Sequence, residues 1–231
     1  MTDIPSQASH KDQQDISLAD LRDQIDAIDN AMLALLAKRQ NLSRLVVTKK
    51  AKGSNVFRPD REVSLLRNLV ASHPDIDARL IIGLWRFIIS ASIAEQKDDY
   101  TIAHTPDATP LARAHGAGFM QNDVHESVEK AVASLQDGQA DCIIVTQEEM
   151  ERQAHLLHPD GPVIAASIGF LWQQTEKRGY ILCRELPLAS GDDILVARDN
   201  QARLNHYDKE ADMPASDELV GRYARPLRLS E

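Results

Sequence analysis

The sequence predicts an α + α/β chain, with helices over residues 17–98 followed by a small mixed α/β domain over residues 99–199. Two observations support this prediction. In the first part, apolar residues recur at alternating steps of three and four, which is the spacing of one helix face. The second part contains short β-like runs separated by turn residues and helical segments, which is typical of a mixed sheet. Residues 1–16 are expected to form a disordered arm, and residues 200–231 a polar tail.

The composition and charge exclude several classes of protein. With 43% hydrophobic and 26% charged residues, the chain can bury a core, which argues against a disordered protein. The formal net charge of −9 argues against a nucleic-acid partner, because such a partner needs a basic surface. Residues 1–100 hold 14 basic and 14 acidic side chains, whereas residues 101–231 hold 12 and 21. The neutral first part can therefore still form a local site for an anion.

The sequence carries no signal for export or membrane insertion. The first 17 residues contain neither a basic nor an apolar segment of the kind found in a signal peptide. No run of 18 apolar residues is present, so no membrane partner is expected. Cys142 and Cys183 lie in apolar strand-like runs, which predicts buried free thiols. These observations predict a cytoplasmic protein.

The first predicted helix is unusually long. Ser17 and Asp20 have the spacing of a capping box, which places the helix start at Ser17. The helix is expected to reach about Lys52, which makes it roughly 50 Å long. Its apolar seam consists of Leu18, Leu21, Ile25, Ile28, Met32 and Leu35. A helix with such a seam usually packs on another chain or on long antiparallel partners.

Two further helices are predicted before residue 98. Pro59 starts the second helix, and His73-Pro74 ends it. Asp77 caps the third helix, which extends to about Lys97. Its apolar stripe consists of Ile81, Leu84 or Trp85, and Ile88.

The second part is predicted to contain five strands and two helices. A capping pair of Asp123 and Glu126 is expected to start one helix, which Gly138 ends. Its inward face would carry Val128, Val132 and Leu135. The second helix is expected near residues 147–157. The predicted strands cover residues 100–104, 141–145, 163–168, 179–186 and 194–198.

Two cations interrupt the apolar seam of the first helix. The seam continues from Leu35 to Arg39 and later to Lys50, and these two positions share a face about 16 Å apart. An unpaired ion in a core costs several kcal/mol, so either protein carboxylates or a bound anion must neutralise them. Two alternatives remain for Arg39, which could act as a coiled-coil specificity residue or pair with an acid. The Lys50 ammonium could instead extend toward water at the helix end.

The other two helices also carry polar groups on their apolar faces. Ser92 and Gln96 extend the stripe of the third helix, and Arg61 and Glu62 open the second. There are two simpler alternatives. The Ser92 hydroxyl could donate to the preceding turn of its own helix, and Glu62 could serve only to stabilise the helix dipole. Taken together, these groups predict a polar pocket inside a helical bundle.

Arg22 lies about 25 Å from Arg39 along the axis of the first helix, so it cannot reach the pocket of its own chain. In an antiparallel dimer of the long helices, it would reach the pocket of the partner. If the chain forms such a homodimer, Arg22 is expected to be supplied across the interface.

Residues 18–96 resemble the all-helical (type II) class of chorismate mutases. The segments that carry this resemblance are LADLRDQIDAIDNAMLALLAKRQNLSRLVVTKK, FRPDRE and SASIAEQ. The resemblance implies an intertwined helical dimer that converts chorismate to prephenate in the biosynthesis of Phe and Tyr. It also implies that no metal or cofactor is used.

The resemblance implies a role for each polar residue. Arg39 would bind one carboxylate of chorismate, Arg22 of the second chain would bind the other, Ser92 would support the carboxylate site, and Arg61 would shape it. Lys50 and Gln96 would donate to the ether oxygen of the breaking bond. The catalytic residues would therefore be Arg39, Lys50 and Gln96.

Two further positions concern the ring hydroxyl of the substrate. Glu62 would accept a hydrogen bond from this hydroxyl. Arg58 stands where many members of the family have Asp, and the family contact at this position is thought to be made largely by the backbone N–H. Arg58 therefore need not abolish activity, although it adds a cation near the site.

The residue types fit a pericyclic rearrangement. Such a reaction needs a dianion held in a compact conformer and donors directed at an oxygen that gains negative charge. It needs neither a nucleophile nor a metal, and the sequence contains no convincing triad, metal cluster or phosphate loop. The Gln96 amide donates at any pH, so turnover is expected to hold from neutral to mildly alkaline pH until Lys50 loses its proton.

The second part is similar to prephenate dehydratases over NDVHESVEKAVASLQDGQADCIIVTQEE and, faintly, over DDILVARD. It lacks the Thr-Arg-Phe signature of those enzymes, which favours a one-lobe relative without dehydratase chemistry. Two alternatives to a mutase remain open. One is an isochorismate-pyruvate lyase with the same helical fold, and the other is an inactive dimerisation or effector-binding module.

Overall fold

The computed structural model describes residues 16–49, 55–168 and 178–226. The chain forms two compact units, which divide between Lys50 and Ala51. The division predicted near residue 98 is not the division between these units, because the second and third helices pack within the same unit as the sheet.

Among the described residues, the first unit contains one helix, α1 (Leu18–Lys49), of 32 residues. The predicted capping box is confirmed, since the Ser17 hydroxyl donates to Asp20 Oδ2 at 2.6 Å and the Asp20 backbone N–H donates to Ser17 Oγ at 3.1 Å. The predicted end near Lys52 lies outside the described residues, as does the predicted arm up to residue 15.

The apolar seam of α1 is exposed. Its side chains from Leu18 to Leu35 are between 44% and 63% exposed, and Leu42 is 64% exposed. An exposed apolar seam of this length is the surface that a partner helix would cover.

The two other predicted helices are present. They are α2 (Pro59–Ser72) and α3 (Ala78–Gln96), which pack on each other through Leu66 and Ile82. Asp77 caps α3 as predicted, because its carboxylate accepts from the Arg79 backbone N–H at 2.8 Å.

The rest of the second unit is an eight-stranded mixed sheet with three short helices among the described residues. The helices are α4 (Thr109–Gly116), α5 (Val128–Gln136) and α6 (Gln147–Arg152). The strands are β1 (Thr101–His104), β2 (Gln121–Val124), β3 (Cys142–Thr146), β4 (Val163–Ile168), β5 (Gly179–Cys183), β6 (Asp193–Arg198), β7 (Leu204–Tyr207) and β8 (Glu218–Ala224).

The strand order is β2-β1-β3-β5-β4-β8-β6-β7. β1 pairs in parallel with both β2 and β3, and β4 pairs in parallel with β8, whereas the other neighbours are antiparallel. The main core lies under α5 and includes Leu135, Ile143 and Leu182, each fully buried. The mixed α/β prediction is therefore confirmed for this part, and the helical description applies only to the N-terminal part.

The five predicted strands are all present, with ends that differ by a few residues. The two cysteines are buried and free, as predicted. The predicted cap of α5 is wrong, because Asp123 belongs to β2 and Ser127 caps the helix instead. Val128, Val132 and Leu135 are nevertheless buried as expected.

The prediction of a polar tail over residues 200–231 is wrong for the described part of this range, which contains two strands. β7 and β8 belong to the sheet, and β8 lies between β4 and β6. β8 has only one fully buried apolar side chain, Val220, so its sequence lacks the continuous apolar run that marks a central strand. Its place in the sheet depends on pairing with strands that are distant in sequence.

Several polar contacts attach α2 and α3 to the sheet domain. Lys97, the C-cap of α3, donates to both carboxylate oxygens of Asp141 at 2.6 Å. The Ser90 hydroxyl on α3 donates to the His115 carbonyl oxygen on α4 at 2.8 Å. Arg67 on α2 donates to the Arg225 carbonyl oxygen at 2.9 Å.

Candidate functional site

The predicted site residues are distributed over both units. Arg22 and Arg39 lie on α1, Arg22 being exposed and Arg39 half-buried. Because α1 is one continuous helix, they are about 25 Å apart along its axis, so one small molecule cannot contact both on the same chain. Lys50 lies outside the described residues. Arg58, Arg61, Glu62, Ser92 and Gln96 belong to the second unit, and the assembly of the complete pocket stays a prediction.

Glu62 lies in the first turn of α2, and its side chain is only 14% exposed. Its carboxylate oxygen Oε1 forms an ion pair with the guanidinium of Arg86 on α3. Burial raises the pKa of the Glu62 carboxyl, and the charge and hydrogen bond of Arg86 oppose this shift. Arg61, the next residue along α2, is exposed.

Arg58 lies at the N-cap position of α2 and forms a two-point contact with Asp60. Arg58 Nε donates to Asp60 Oδ1 at 3.0 Å, and Arg58 Nη2 donates to Asp60 Oδ2 at 2.7 Å. The hydrogen bond to Arg58 lowers the pKa of the Asp60 carboxyl. Arg58 stands where many of the chorismate mutases that this chain resembles have Asp. Its guanidinium is therefore paired with a carboxylate at the start of the same helix.

Ser92 and Gln96 lie four residues apart on α3, so their side chains project from the same face. The buried Ser92 hydroxyl donates to the Ile88 carbonyl oxygen at 2.8 Å, which is the simpler alternative stated above. The hydroxyl oxygen can still accept a hydrogen bond. Gln96 is half-buried at the last position of α3.

Sequence reasoning missed Arg86. The signal was available, because Arg86 is a single cation inside an apolar run of α3, LIIGLWRFII. Its guanidinium Nε donates to Ser90 Oγ at 3.3 Å, and its Nη1 donates to Glu62. Arg86 therefore links Glu62 on α2, which is predicted to accept from the substrate hydroxyl, to Ser90 on α3. Ser90 in turn contacts His115 on α4.

His115 is the neighbour of Arg86 on α4. Its ring contacts Phe57 edge to face, with the ring centroids 5.5 Å apart. Burial, together with the Arg86 charge, lowers the pKa of His115 well below its usual value. The imidazole is therefore neutral at neutral pH and adds no second positive charge beside Arg86.

An open cavity of about 590 Å³ lies at the ends of β1 and β3. Its walls include Asp107, Glu148, Arg152 and Arg178. Glu148 and Arg152 form an ion pair at 2.7 Å, so the charges of these two lining residues offset each other.

The described residues contain no group of His, Cys, Asp and Glu side chains suited to hold a metal ion. Among these residues, no helix has both the length and the apolar character needed to cross a bilayer.

The N-terminal part of the chain is similar to a known family of enzymes. Residues 21–97 match the family model described as chorismate mutase type II. This part of the chain is therefore similar to chorismate mutase type II domains. The T-protein of Enterobacter agglomerans is 34% identical over 106 residues, which are 45% of this chain and 28% of that protein. The chain thus spans about a quarter of the length of this curated relative.

Two solved structures show a weak similarity. One is a prephenate dehydratase from Streptococcus mutans, with 12% identity, a TM-score of 0.37, and coverage of 56% of this chain and 100% of that chain. The other is GqqA, described as a novel type of quorum quenching acylase, with 15% identity, a TM-score of 0.35, and coverage of 54% and 95%.

Proposed function

We propose that this protein is a chorismate mutase that converts chorismate to prephenate in the biosynthesis of Phe and Tyr. The observation that carries the proposal is the family match over residues 21–97. This range contains every residue to which the resemblance assigns a role. Among the described ones, Arg39 lies on α1, Glu62 in the first turn of α2, and Gln96 at the end of α3.

The proposed mechanism uses positioning and electrostatics alone. Arg39 and the second chain's Arg22 would bind the two carboxylates and hold the substrate in its reactive conformer. Lys50 and Gln96 would donate to the ether oxygen as it gains negative charge. A rate acceleration of about 10⁶-fold requires ~8 kcal/mol, and one preorganised donor typically contributes ~3–4 kcal/mol. Two donors together with conformer selection are therefore sufficient.

The proposal includes a homodimer. Two observations support it: the exposed apolar seam of α1, and the distance of Arg22 from Arg39 on the same helix. A second copy of α1 running antiparallel would cover the seam and supply Arg22 to the neighbouring site. Light scattering on the purified full chain is expected to give twice the mass of one chain, and a monomer at assay concentration would contradict this part of the proposal.

The decisive test is to incubate the purified chain separately with chorismate and with isochorismate. Prephenate from chorismate supports the proposal. Salicylate and pyruvate from isochorismate would instead identify a lyase. If neither substrate is converted, the chain is an inactive dimerisation or effector-binding module, and the mutase proposal fails.

A further inference from the structure

The Glu62 carboxylate is largely buried, so its ionised form is disfavoured unless another group stabilises the negative charge. It is largely shielded from water, and burial of a carboxylate favours the neutral form. The role implied for Glu62 is to accept a hydrogen bond from the substrate hydroxyl. An ionised carboxylate is an acceptor only, whereas a protonated one also carries a donor. This role therefore depends on a group that keeps Glu62 ionised.

Arg86 is the ion-pair partner of Glu62 among the described residues. Its guanidinium stays charged at every pH relevant to an enzyme. It engages Oε1 of Glu62 through Nη1, and a carboxylate has a second oxygen that can accept from another donor. One oxygen is thus held by the protein, and the other is suited to the substrate hydroxyl.

The Arg86 side chain is held in turn by groups from α3 and α4. Ser90 Oγ accepts from Arg86 Nε at 3.3 Å and donates to the His115 carbonyl oxygen at 2.8 Å. The groups that face Arg86 are therefore Glu62 from α2, Ser90 from α3, and the neutral His115 from α4. Because His115 belongs to the α/β domain, that domain takes part in placing the guanidinium.

We propose that Arg86 is a positioning residue for the mutase site, which keeps the Glu62 carboxylate ionised and fixes one of its oxygens so that the other accepts the ring hydroxyl of the substrate. This inference rests on the proposed function and on the role implied for Glu62. Arg86 acts through Glu62 and does not itself contact the substrate.

The first experiment measures kcat/KM for chorismate against pH in the full chain and in two variants. Arg86→Met removes the charge, whereas Arg86→Lys keeps it. An opposite charge at this range lowers a carboxyl pKa by about 1–3 units, so the acid limb of the Arg86→Met profile is expected to move up by about 1–3 pH units. Activity of this variant recovers as the pH rises, because Glu62 then ionises without Arg86. The acid limb of the Arg86→Lys profile is expected to stay close to that of the natural chain, because the positive charge is kept.

The second experiment tests whether Arg86 acts through Glu62. In a Glu62→Gln background, the side chain no longer titrates, so Arg86→Met is expected to have no effect on the acid limb. Arg79→Met is the matched control, since Arg79 is an exposed arginine on the same helix. If Arg86→Met lowers the melting temperature while its pH profile superimposes on that of the natural chain, Arg86 is only structural and the inference is overturned.

A measurement that is independent of turnover separates this inference from the proposed function. The carboxyl of Glu62 is titrated by NMR in the chain labelled with ¹³C at glutamate carboxyls, with Glu62→Gln used to assign its signal. A higher pKa of Glu62 in Arg86→Met supports the inference even if the chain makes no prephenate. An equal pKa in both chains overturns it. If Arg86→Met does not fold, Arg86→Gln replaces it, because the amide keeps a hydrogen bond without the charge.

Discussion

Gly221 on β8 passes so close to Ile164 on β4 that a Cβ atom built on Gly221 would lie 2.5 Å from Ile164 Cβ and 2.9 Å from the Ile164 carbonyl oxygen. These two residues form the parallel pairing between β4 and β8. The close approach shows how a strand with few apolar side chains can occupy a central position in the sheet. A larger residue at 221 would force the two strands apart.

We expect Gly221→Ala to lower the free energy of unfolding by about 1–3 kcal/mol, because overpacking displaces backbone as well as side chains. Gly83→Ala is the matched control. Gly83 lies inside α3 with no atom within 4 Å of an added Cβ, so this change should raise the free energy of unfolding by about 0.5–1 kcal/mol. Urea unfolding of both variants checks the prediction. Equal effects would show that β8 is not held tightly against β4.

Arg39→Ala is expected to reduce kcat/KM for chorismate by about 100-fold or more, because it leaves a substrate carboxylate without its charged partner. Arg44→Ala is the control, since Arg44 is exposed on α1 and lies off the apolar seam. Prephenate formation measures the activity, and circular dichroism measures the helix content. Loss of folding would favour a structural role for Arg39, and unchanged turnover would remove it from the site.

Arg58→Ala is expected to leave kcat/KM for chorismate within about twofold of the natural value, as for a surface substitution. The Arg58 side chain pairs with Asp60, and the contact implied for this position is made by the backbone N–H. Steady-state assays on prephenate formation test this. A loss of two orders of magnitude would instead place the Arg58 guanidinium on the substrate.

The Asp60 carboxyl should make the stability of the second unit pH-dependent. Hydrogen bonding to Arg58 lowers the folded-state pKa of Asp60 below its unfolded value. Its contribution to stability is therefore present above the usual Asp pKa and is lost as the pH falls through the lowered value. Because the Arg58 side chain is 43% exposed, solvent screening keeps the contribution small. Urea unfolding between neutral and acidic pH should show a smaller acid-side loss in Arg58→Ala, and identical slopes would contradict this account.

The sequence predicted best those elements whose signals are local. The Ser17–Asp20 capping box, Pro59 at the start of α2, and Asp77 at the cap of α3 all depend on neighbours within a few residues. Local patterns also placed the buried strands, because β3 and β5 are continuous apolar runs. The Asp123–Glu126 prediction failed although its spacing was suitable, because Asp123 is drawn into pairing with β1.

The same difference between local signals and long-range contacts applies to the residues of the candidate site. The sequence indicated Arg39 as a candidate because the helical period shows that it interrupts an apolar seam, and Glu62 because it lies with Arg61 at the start of an amphipathic helix. The same reasoning could have marked Arg86 as a cation in an apolar run, but it could not show that Arg86 pairs with Glu62. Arg86 lies 24 residues away on another helix, and only the packing of α2 on α3 brings the two together.

The sequence by itself determined the helices, most of the strands, and the resemblance of residues 21–97 to type II chorismate mutases, because each of these depends on periodicity, caps and motifs within short stretches of chain. The tertiary structure decided that β8 is a central strand, that Glu62 pairs with Arg86, and that His115 is neutral beside it. These features depend on strand pairing, burial and charge between residues distant in sequence, which no local pattern records.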